Sequence, residues 1–415
     1  MALQEDRIRT RIAIVGAGTS GYLSVLHFCT KYPHYDIEWI YPEDNVTIGV
    51  GEGTVPEVLD FLYDNGITMC DIISEMRGSL KLGVKFEMFA QDNFYHPFGH
   101  SDKDAAEIEY IMHNDKIPDN IEYYSDLAAH FSVAELAKFL DNYFKKFDNL
   151  TITRKILEYQ DQVECDWLID CTGFKRAFVN KYYDDNFLSI QDKIPNDRAL
   201  VFRTKIPDDM RLPYTTCIGM QHGWVWNIPL KDEIGIGYVH QSKYDVHDEF
   251  LDYIQEKGFK ATKENIREVN MVTGRNKHHY KEMPDKQIVS IGLSSSFIEP
   301  MEATGLYMTV FGIRQLDLLM NGHITPIEYE TAVNHEFDTI VEFIVAHYKY
   351  STRTGEYWDQ YKDVPCTVYT TNNLFPTRSW TYILRLNKPK IIAEKIVKLR
   401  HGKQYKEWLN EKYPR

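Results

Sequence analysis

A chain of 415 residues with 43% hydrophobic and 13% aromatic content is long enough for one large α/β domain or two or three smaller ones, with ample material for a core. Its net charge of −14 comes without any dense Lys/Arg block, which argues against a nucleic-acid partner. No run of eighteen apolar residues or signal-peptide pattern appears, so the expectation is a cytoplasmic protein with no membrane contact.

In chain order, the apolar run Ile12–Val15 predicts a strand, Tyr22–Cys29 a helix and Asp36–Tyr41 a second strand, together a βαβ opening. Gly49–Pro56 is a second glycine-rich loop, leading into an apolar-periodic helix over Val58–Tyr63. Val133–Phe147 predicts an amphipathic helix, with Ser132 and Glu135 as a capping box and Leu136, Leu140, Tyr143 and Phe147 as its stripe. Strands are predicted over Cys165–Cys171, Ala199–Lys205, Trp224–Ile228, Ile234–His240 and Ile288–Gly292, and a helix over Leu306–Leu319. Without linkers or repeats, residues 1–350 read as one interleaved catalytic body. A charged and aromatic helical module follows over residues 351–415.

Between the first strand and helix lies Gly16-Ala17-Gly18-Thr19-Ser20-Gly21. Gly16 permits the tight turn, Gly18 lets a pyrophosphate approach the backbone, and Gly21 lets helix and strand pack closely. The amides of Thr19, Ser20 and Gly21 at the helix start would meet the phosphates. Asp170-Cys171-Thr172-Gly173 ends a later strand in a manner suggesting FAD rather than NAD. Tyr41-Pro42 stand where a ribose-binding acid is usual, so that either Glu43 substitutes or the adenosine is held loosely, and no second glycine fingerprint serves NAD(P)H. Reduced flavin would then come from a separate flavin reductase. The six cysteines form no CxxC or metal-ligand spacing, and His278-His279 lacks partners at zinc-like spacing, so these read as reduced thiols and structural or surface histidines with no metal.

Further motifs follow in order: Gly49-Val50-Gly51-Glu52-Gly53-Thr54-Val55-Pro56, Gly78 to Phe86 around Lys81, and Phe94-Tyr95-His96-Pro97-Phe98-Gly99. Trp224-Val225-Trp226-Asn227-Ile228-Pro229 comes next, then Ser294 to Gly305, and His347 to Trp358 with Ser351, Arg353 and Thr354. This series resembles the flavin-dependent halogenases of the tryptophan halogenase family, through segments like GVGEATIP, WxWxIP and SSxFxEPxESTG. The resemblance implies a FAD-binding Rossmann-like, monooxygenase-like α/β domain with an added β-sheet substrate region and a shortened C-terminal helical module.

By the same resemblance, reduced FAD and O2 oxidise a halide (chloride, bromide or iodide) to hypohalous acid, which halogenates an electron-rich aromatic such as an indole or phenol. Lys81 would intercept the oxidant, as a hydrogen-bond donor or as the neutral amine of a haloamine, a form that burial favours. Glu302 would accept the ring proton or polarise the oxidant with Lys81. The backbone amides of Thr304 and Gly305 would cradle the halide, and His96, Pro97, Phe98 and Glu302 would contact the substrate. Gly49, Gly51, Glu52, Asp170, Gly173, Trp224, Trp226, Ile228 and Pro229 join the glycine loop as the flavin side. In an extended segment Trp224, Trp226 and Ile228 share a face, an indole wall between flavin and substrate.

Two departures stand out. Ala303 replaces the serine that follows the catalytic glutamate in the family motif. The chain beyond Trp358 is shorter than in tryptophan-specific relatives and shows no counterpart of their amino-acid clamps, which resembles the short, phage-type members and implies a more open site. The competing functions are an aromatic-hydroxylating flavin monooxygenase and a catalytically silent flavin-binding protein. The sequence admits a homo-oligomer without specifying one.

Overall fold

The computed structural model describes residues 9–43, 52–114, 126–158, 161–369 and 374–384. Alternation of apolar strands with helices yields a parallel sheet. Its strands run in the order Gln287–Ser290, Trp167–Asp170, Arg11–Val15, Asp36–Tyr41, Leu150–Arg154, with Tyr280–Glu282 antiparallel on the first edge. The helix Thr19–Lys31 joins Arg11–Val15 to Asp36–Tyr41, whose register pairs Ile12 with Ile37. Strand order reverses at Arg11–Val15, since its other neighbour, Trp167–Asp170, comes far later in the chain. The carboxyl ends of these two strands therefore open a crevice at a topological switch point.

A second sheet of seven strands runs Arg267–Asn270, Arg198–Lys205, Glu233–His240, Gly223–Pro229, Thr215–Gly219, Gly83–Glu87, Phe94–Pro97. Alternation along Gly223–Pro229 sends Trp224, Trp226 and Ile228 into the main core and Val225 into a separate cluster behind the sheet. A small sheet, Glu52–Gly53, Ala128–Phe131, Ser79–Lys81, sits beside it, and another joins Phe187–Ser189, Gly274–Asn276 and Ser296–Phe297. The long helices Thr304–Met320 and Pro326–Lys349 pack against one another.

Some expectations change. The helix predicted over Val133–Phe147 ends at Tyr143, and a 3-10 turn over Phe144–Lys146 rotates the chain. Phe144, rather than Tyr143 and Phe147, joins Leu136 and Leu140 as fully buried. The capping box does not form: Ser132 makes no cap hydrogen bond, and Glu135 instead pairs with Lys138 at 2.9 Å and Arg77 at 3.8 Å. Past residue 351 the described helices are Glu356–Asp359 and Thr377–Leu384. Among the described residues past 351, Tyr357, Trp358, Phe375 and Trp380 are buried in the same core as the nucleotide-type sheet. No described helix is long and apolar enough to cross a membrane.

Candidate active site

The three glycines at the crevice have distinct surroundings. Gly16 (φ +111°) passes so close to the chain that an added Cβ would lie 2.3 Å from Cys171 O, and one on Gly21 would lie 2.0 Å from Gly16 O. Gly18 is the N-cap of the helix Thr19–Lys31, and a Cβ there would meet nothing within 4 Å. The helix start has neither a side-chain cap nor an acidic first turn, which leaves its first amide N–H groups without a side-chain acceptor, an arrangement suited to an anion. Gly173, at φ +67°, borders similar open space. These features fit a dinucleotide.

Asp170 serves the crevice indirectly. Its buried carboxylate accepts from Thr172 N (3.0 Å), Thr172 Oγ1 (2.6 Å), Phe178 N (2.9 Å) and Ser294 Oγ (3.1 Å). Those bonds tie the turn after Trp167–Asp170 to the Ser294 loop and occupy the carboxylate with groups of this chain. Glu43 is exposed, while Tyr41 is buried beneath the Arg154 guanidinium at 4.0 Å. Gly49 and Gly51 lie outside the described residues. Glu52 follows directly, and burial pushes its carboxyl up to about 7.

Lys81 ends the strand Ser79–Lys81 and is 1% exposed. Its Nζ donates to Thr54 O at 2.7 Å and stands 5.2 Å from the centre of the Phe98 ring. Gly53 makes room for it, since a Cβ there would come within 3.3 Å of Nζ. Burial lowers the amine to about 8, against an opposing pull from the Glu302 charge. Lys85 has a different environment: it pairs with Glu87 at 2.7 Å and lies near the Tyr95 and Tyr214 rings.

His130, paired with Ser79 in the small sheet, connects the lysine strand to the Trp224–Pro229 motif. Ser79 Oγ donates to Pro229 O at 2.5 Å, so it accepts from His130 Nδ1 at 3.0 Å. His130 Nε2 is then left to accept from Thr215 Oγ1 at 2.8 Å. Burial, reinforced by the Lys81 charge, holds this imidazole neutral, well below its usual range. Trp224 and Trp226 are buried with ring centres 6.0 Å apart, and neither indole N–H has a hydrogen-bond partner among the described residues.

Glu302 lies in the turn before the helix Thr304–Met320. Glu302 (φ 62°) and Ala303 (φ 58°) are both left-handed, a conformation costing roughly 1–2 kcal/mol per non-glycine residue. This backbone turns the buried carboxylate toward two histidines. Oε1 lies 2.8 Å from His96 Nδ1 and 3.1 Å from His347 Nε2. Burial alone would raise the carboxyl, but the two imidazoles hold it well below the usual carboxylate range. Thr304 is buried, while Gly305 faces open space at the uncapped helix start.

His96 is held more firmly than a residue waiting to stack on substrate. Its second nitrogen lies 2.9 Å from Ser379 Oγ, on the helix Thr377–Leu384, and both ring nitrogens are engaged within the chain. Phe98, beside Lys81, and Pro97 are buried. Glu299 is also buried, bonded to Asn196 Nδ2 (3.0 Å) and Tyr348 Oη (2.6 Å), and burial raises it to about 7.

Sequence reasoning missed His130, Asn196 and Ser379 and gave His347 no role beyond its motif. His279 is buried between Ser295 Oγ (2.7 Å) and Asn334 Oδ1 (3.0 Å), so of the two readings of His278-His279 the structural one holds for it. Among the described residues no group of His, Cys, Asp or Glu gathers as a metal site, and the six cysteines are unpaired.

A nucleotide crevice at a switch point, joined through one core to a buried lysine and carboxylate, defines an α/β enzyme of the flavoprotein oxidoreductase class. The chain belongs to the tryptophan halogenase family, whose model, described as tryptophan halogenase, matches residues 11–146 and 143–385. It is thus one of the flavin-dependent halogenases. It is 26% identical over 431 residues to the 7-chloro-L-tryptophan 6-halogenase KtzR of Kutzneria sp. (strain 744), covering 85% of this chain and 82% of that one. Tryptophan 7-halogenase RebH of Lentzea aerocolonigenes is 25% identical, with 85% and 79% covered. The crystal structure of the tryptophan 6-halogenase SttH from Streptomyces toxytricini shares the fold, with a TM-score of 0.82, 23% identity and 98% of each chain covered.

Proposed function

We propose that this chain uses reduced FAD, O2 and a halide to halogenate electron-rich aromatics such as indoles or phenols, with Lys81 and Glu302 as its catalytic residues. The observation that carries the reading is their electrostatic pairing: a buried amine lowered to about 8 feels the charge of a buried carboxylate held ionised by two imidazoles. Gly16, Gly18, Thr19, Ser20 and Gly21 would hold the cofactor's pyrophosphate, with Gly49, Gly51, Glu52, Gly173 and the Trp224–Pro229 strand on the flavin side. When bound, reduced FAD together with O2 supplies the oxidising equivalents that convert halide to hypohalous acid.

The chain's own residues then confine and direct that oxidant. The amides of Thr304 and Gly305 are suited to the halide. Trp224 and Trp226 bar the organic substrate from the flavin. Lys81 meets hypohalous acid as a hydrogen-bond donor or as a neutral amine, both forms being populated near its titration point. As the ammonium donor, Lys81 gives its proton to the oxidant's hydroxyl, which leaves as water while halogen bonds to the ring carbon; as the neutral amine, it first releases water on forming a nitrogen–halogen bond, which breaks as the ring carbon takes the halogen. In both routes Glu302 takes the displaced ring proton, which then returns to the lysine nitrogen. Phe98 supplies an aromatic face beside the lysine. KtzR, RebH and SttH bear names that specify tryptophan, itself an indole and so a member of the broader class proposed here. Heavier halides are the better substrates, because bromide and iodide are more easily oxidised than chloride. Reduced flavin comes from a separate reductase.

The test supplies protein with FAD, a flavin reductase, NADH, O2 and bromide, plus a panel of indoles and phenols, and seeks the bromine isotope doublet by mass spectrometry. A doublet that disappears in Lys81→Ala is the expected result. A halide-independent oxygenated product would make the protein an aromatic hydroxylase, and absence of any product across the panel would favour the silent flavoprotein. A bromide–chloride competition won by chloride overturns the halide preference.

A further inference from the structure

The ring of His347 is completely buried on the helix Pro326–Lys349 and lies between two oxygen acceptors. Its Nδ1 is 2.8 Å from Phe343 O. A carbonyl oxygen only accepts, so Nδ1 carries a hydrogen. Its Nε2 is 3.1 Å from Glu302 Oε1. A neutral ring protonated at Nδ1 has a bare lone pair at Nε2, and an ionised carboxylate sets another lone pair against it. In a dry interior that contact is repulsive, whereas one additional proton makes it a charge-assisted hydrogen bond.

Among the described residues no neighbour supplies that proton in place of the pair itself. His96 Nδ1 donates to the same Oε1 at 2.8 Å, and its Nε2 is satisfied by the Ser379 hydroxyl. From the strand Ser79–Lys81, the Lys81 amine is directed to Thr54 O. From the strand Thr215–Gly219, Cys217 feels the charges of Glu302, Lys81 and Glu299, and burial keeps its thiol neutral. Glu299 is itself bonded to Asn196 and Tyr348. The strand Gly83–Glu87 presents the Phe86 ring, 5.0 Å from the His347 ring. On the helix of His347, Phe343 is apolar and Glu342 is engaged by Lys193 and Thr367 N.

We infer that His347 holds the additional proton as an imidazolium donating to Glu302, so that the two form a buried ion pair with His96 as the second, neutral donor. Convergence of both rings on the single atom Oε1 suits an ionised oxygen that accepts twice. His347 is a positioning residue: it fixes the carboxylate and its charge state without reaching substrate. The consequence for catalysis rests on the proposed role of Glu302. The imidazolium offsets part of the carboxylate charge that pulls Lys81 toward the ammonium form. A carboxylate weakened as a base still takes the proton of a cationic ring intermediate, a far stronger acid.

The experiment is 15N NMR of the full chain labelled only at histidine, without cofactor or substrate, at about pH 7.5, one unit above the ordinary histidine range. His347→Gln assigns the resonance; should that variant not fold, the paired response of two rings to Glu302→Gln, with His96→Asn assigning the other, does so. The expected result is that both nitrogens of His347 carry hydrogen in the parent protein, and that Nε2 loses it in Glu302→Gln, whose amide donates to the ring. A bare Nε2 in the parent protein overturns the inference. So does a ring that stays doubly protonated in Glu302→Gln, because the proton would then not belong to the pair. Neither readout depends on halogenation, so failure of the proposed activity and failure of this inference are separately visible.

Discussion

A buried lysine pays for its position in stability, and Lys81 shows how much. Lowering the amine from 10.5 to about 8 corresponds to roughly 3 kcal/mol against the charged form at neutral pH. The hydrogen bond to Thr54 O returns about 1 kcal/mol. We therefore expect Lys81→Met to lose halogenation yet melt about 2–4 °C higher near pH 7, measured by calorimetry; a lower melting temperature would refute the argument. The sign with pH follows from proton binding. Between about 8 and 10.5 the unfolded chain keeps a proton that the folded one has released, so this group's contribution to stability rises with pH over that window. Lys81→Met should abolish that increment. Burial is what separates Lys81 from Lys85. The sequence places both in one short stretch, and only motif register singled out the former.

At the scale of elements, the glycine loop divides into two positions closed by packing and one that borders open space. Gly21 lets the helix Thr19–Lys31 pass against the end of the strand Arg11–Val15, because a Cβ would strike Gly16 O at 2.0 Å. Gly21→Ala should destabilise the fold by about 3 kcal/mol or more, read from denaturant unfolding. Gly18→Val meets open space and should fold normally, while weakening FAD binding by about tenfold or more, about 1.4 kcal/mol, in a fluorescence titration. Equal effects of the two changes would refute the division. The two roles follow from the spacing GxGxxG, because a strand, a turn and a helix leave few ways to use three glycines. The turn at Glu302 and Ala303 was less legible. Neither residue is one that ordinarily signals left-handed backbone, and its two positive φ values are imposed by packing around it. The helix Pro326–Lys349 had a readable signal, Thr325-Pro326-Ile327-Glu328, which forms a capping box with proline in the first turn.

On the scale of the whole molecule, distant segments meet at one carboxylate: His96 from an early strand, His347 from a late helix, and Ser379 behind His96. The segment carrying Ser379 is anchored by aromatic packing, with Phe375 stacked on Phe343 at 3.8 Å and Trp380 5.1 Å from the same ring. Ser379→Ala removes the donor to His96 Nε2 while keeping this packing. It should lower kcat about 3–10-fold, roughly the worth of one hydrogen bond, with FAD affinity unchanged; an unaltered kcat would show that His96 needs no such support. The amino-acid sequence by itself determined the βαβ opening, the close packing at Gly16 and Gly21, the indole-bearing strand and the family, because these rest on local periodicity and on motifs a few residues long. Tertiary structure alone decided that Asp170 is consumed by its own turn, that the helix after Ser132 stops early, and that His96 and His347 share Glu302. Charge state and hydrogen-bond partner depend on what lies across the interior, and no spacing along the chain encodes that neighbour.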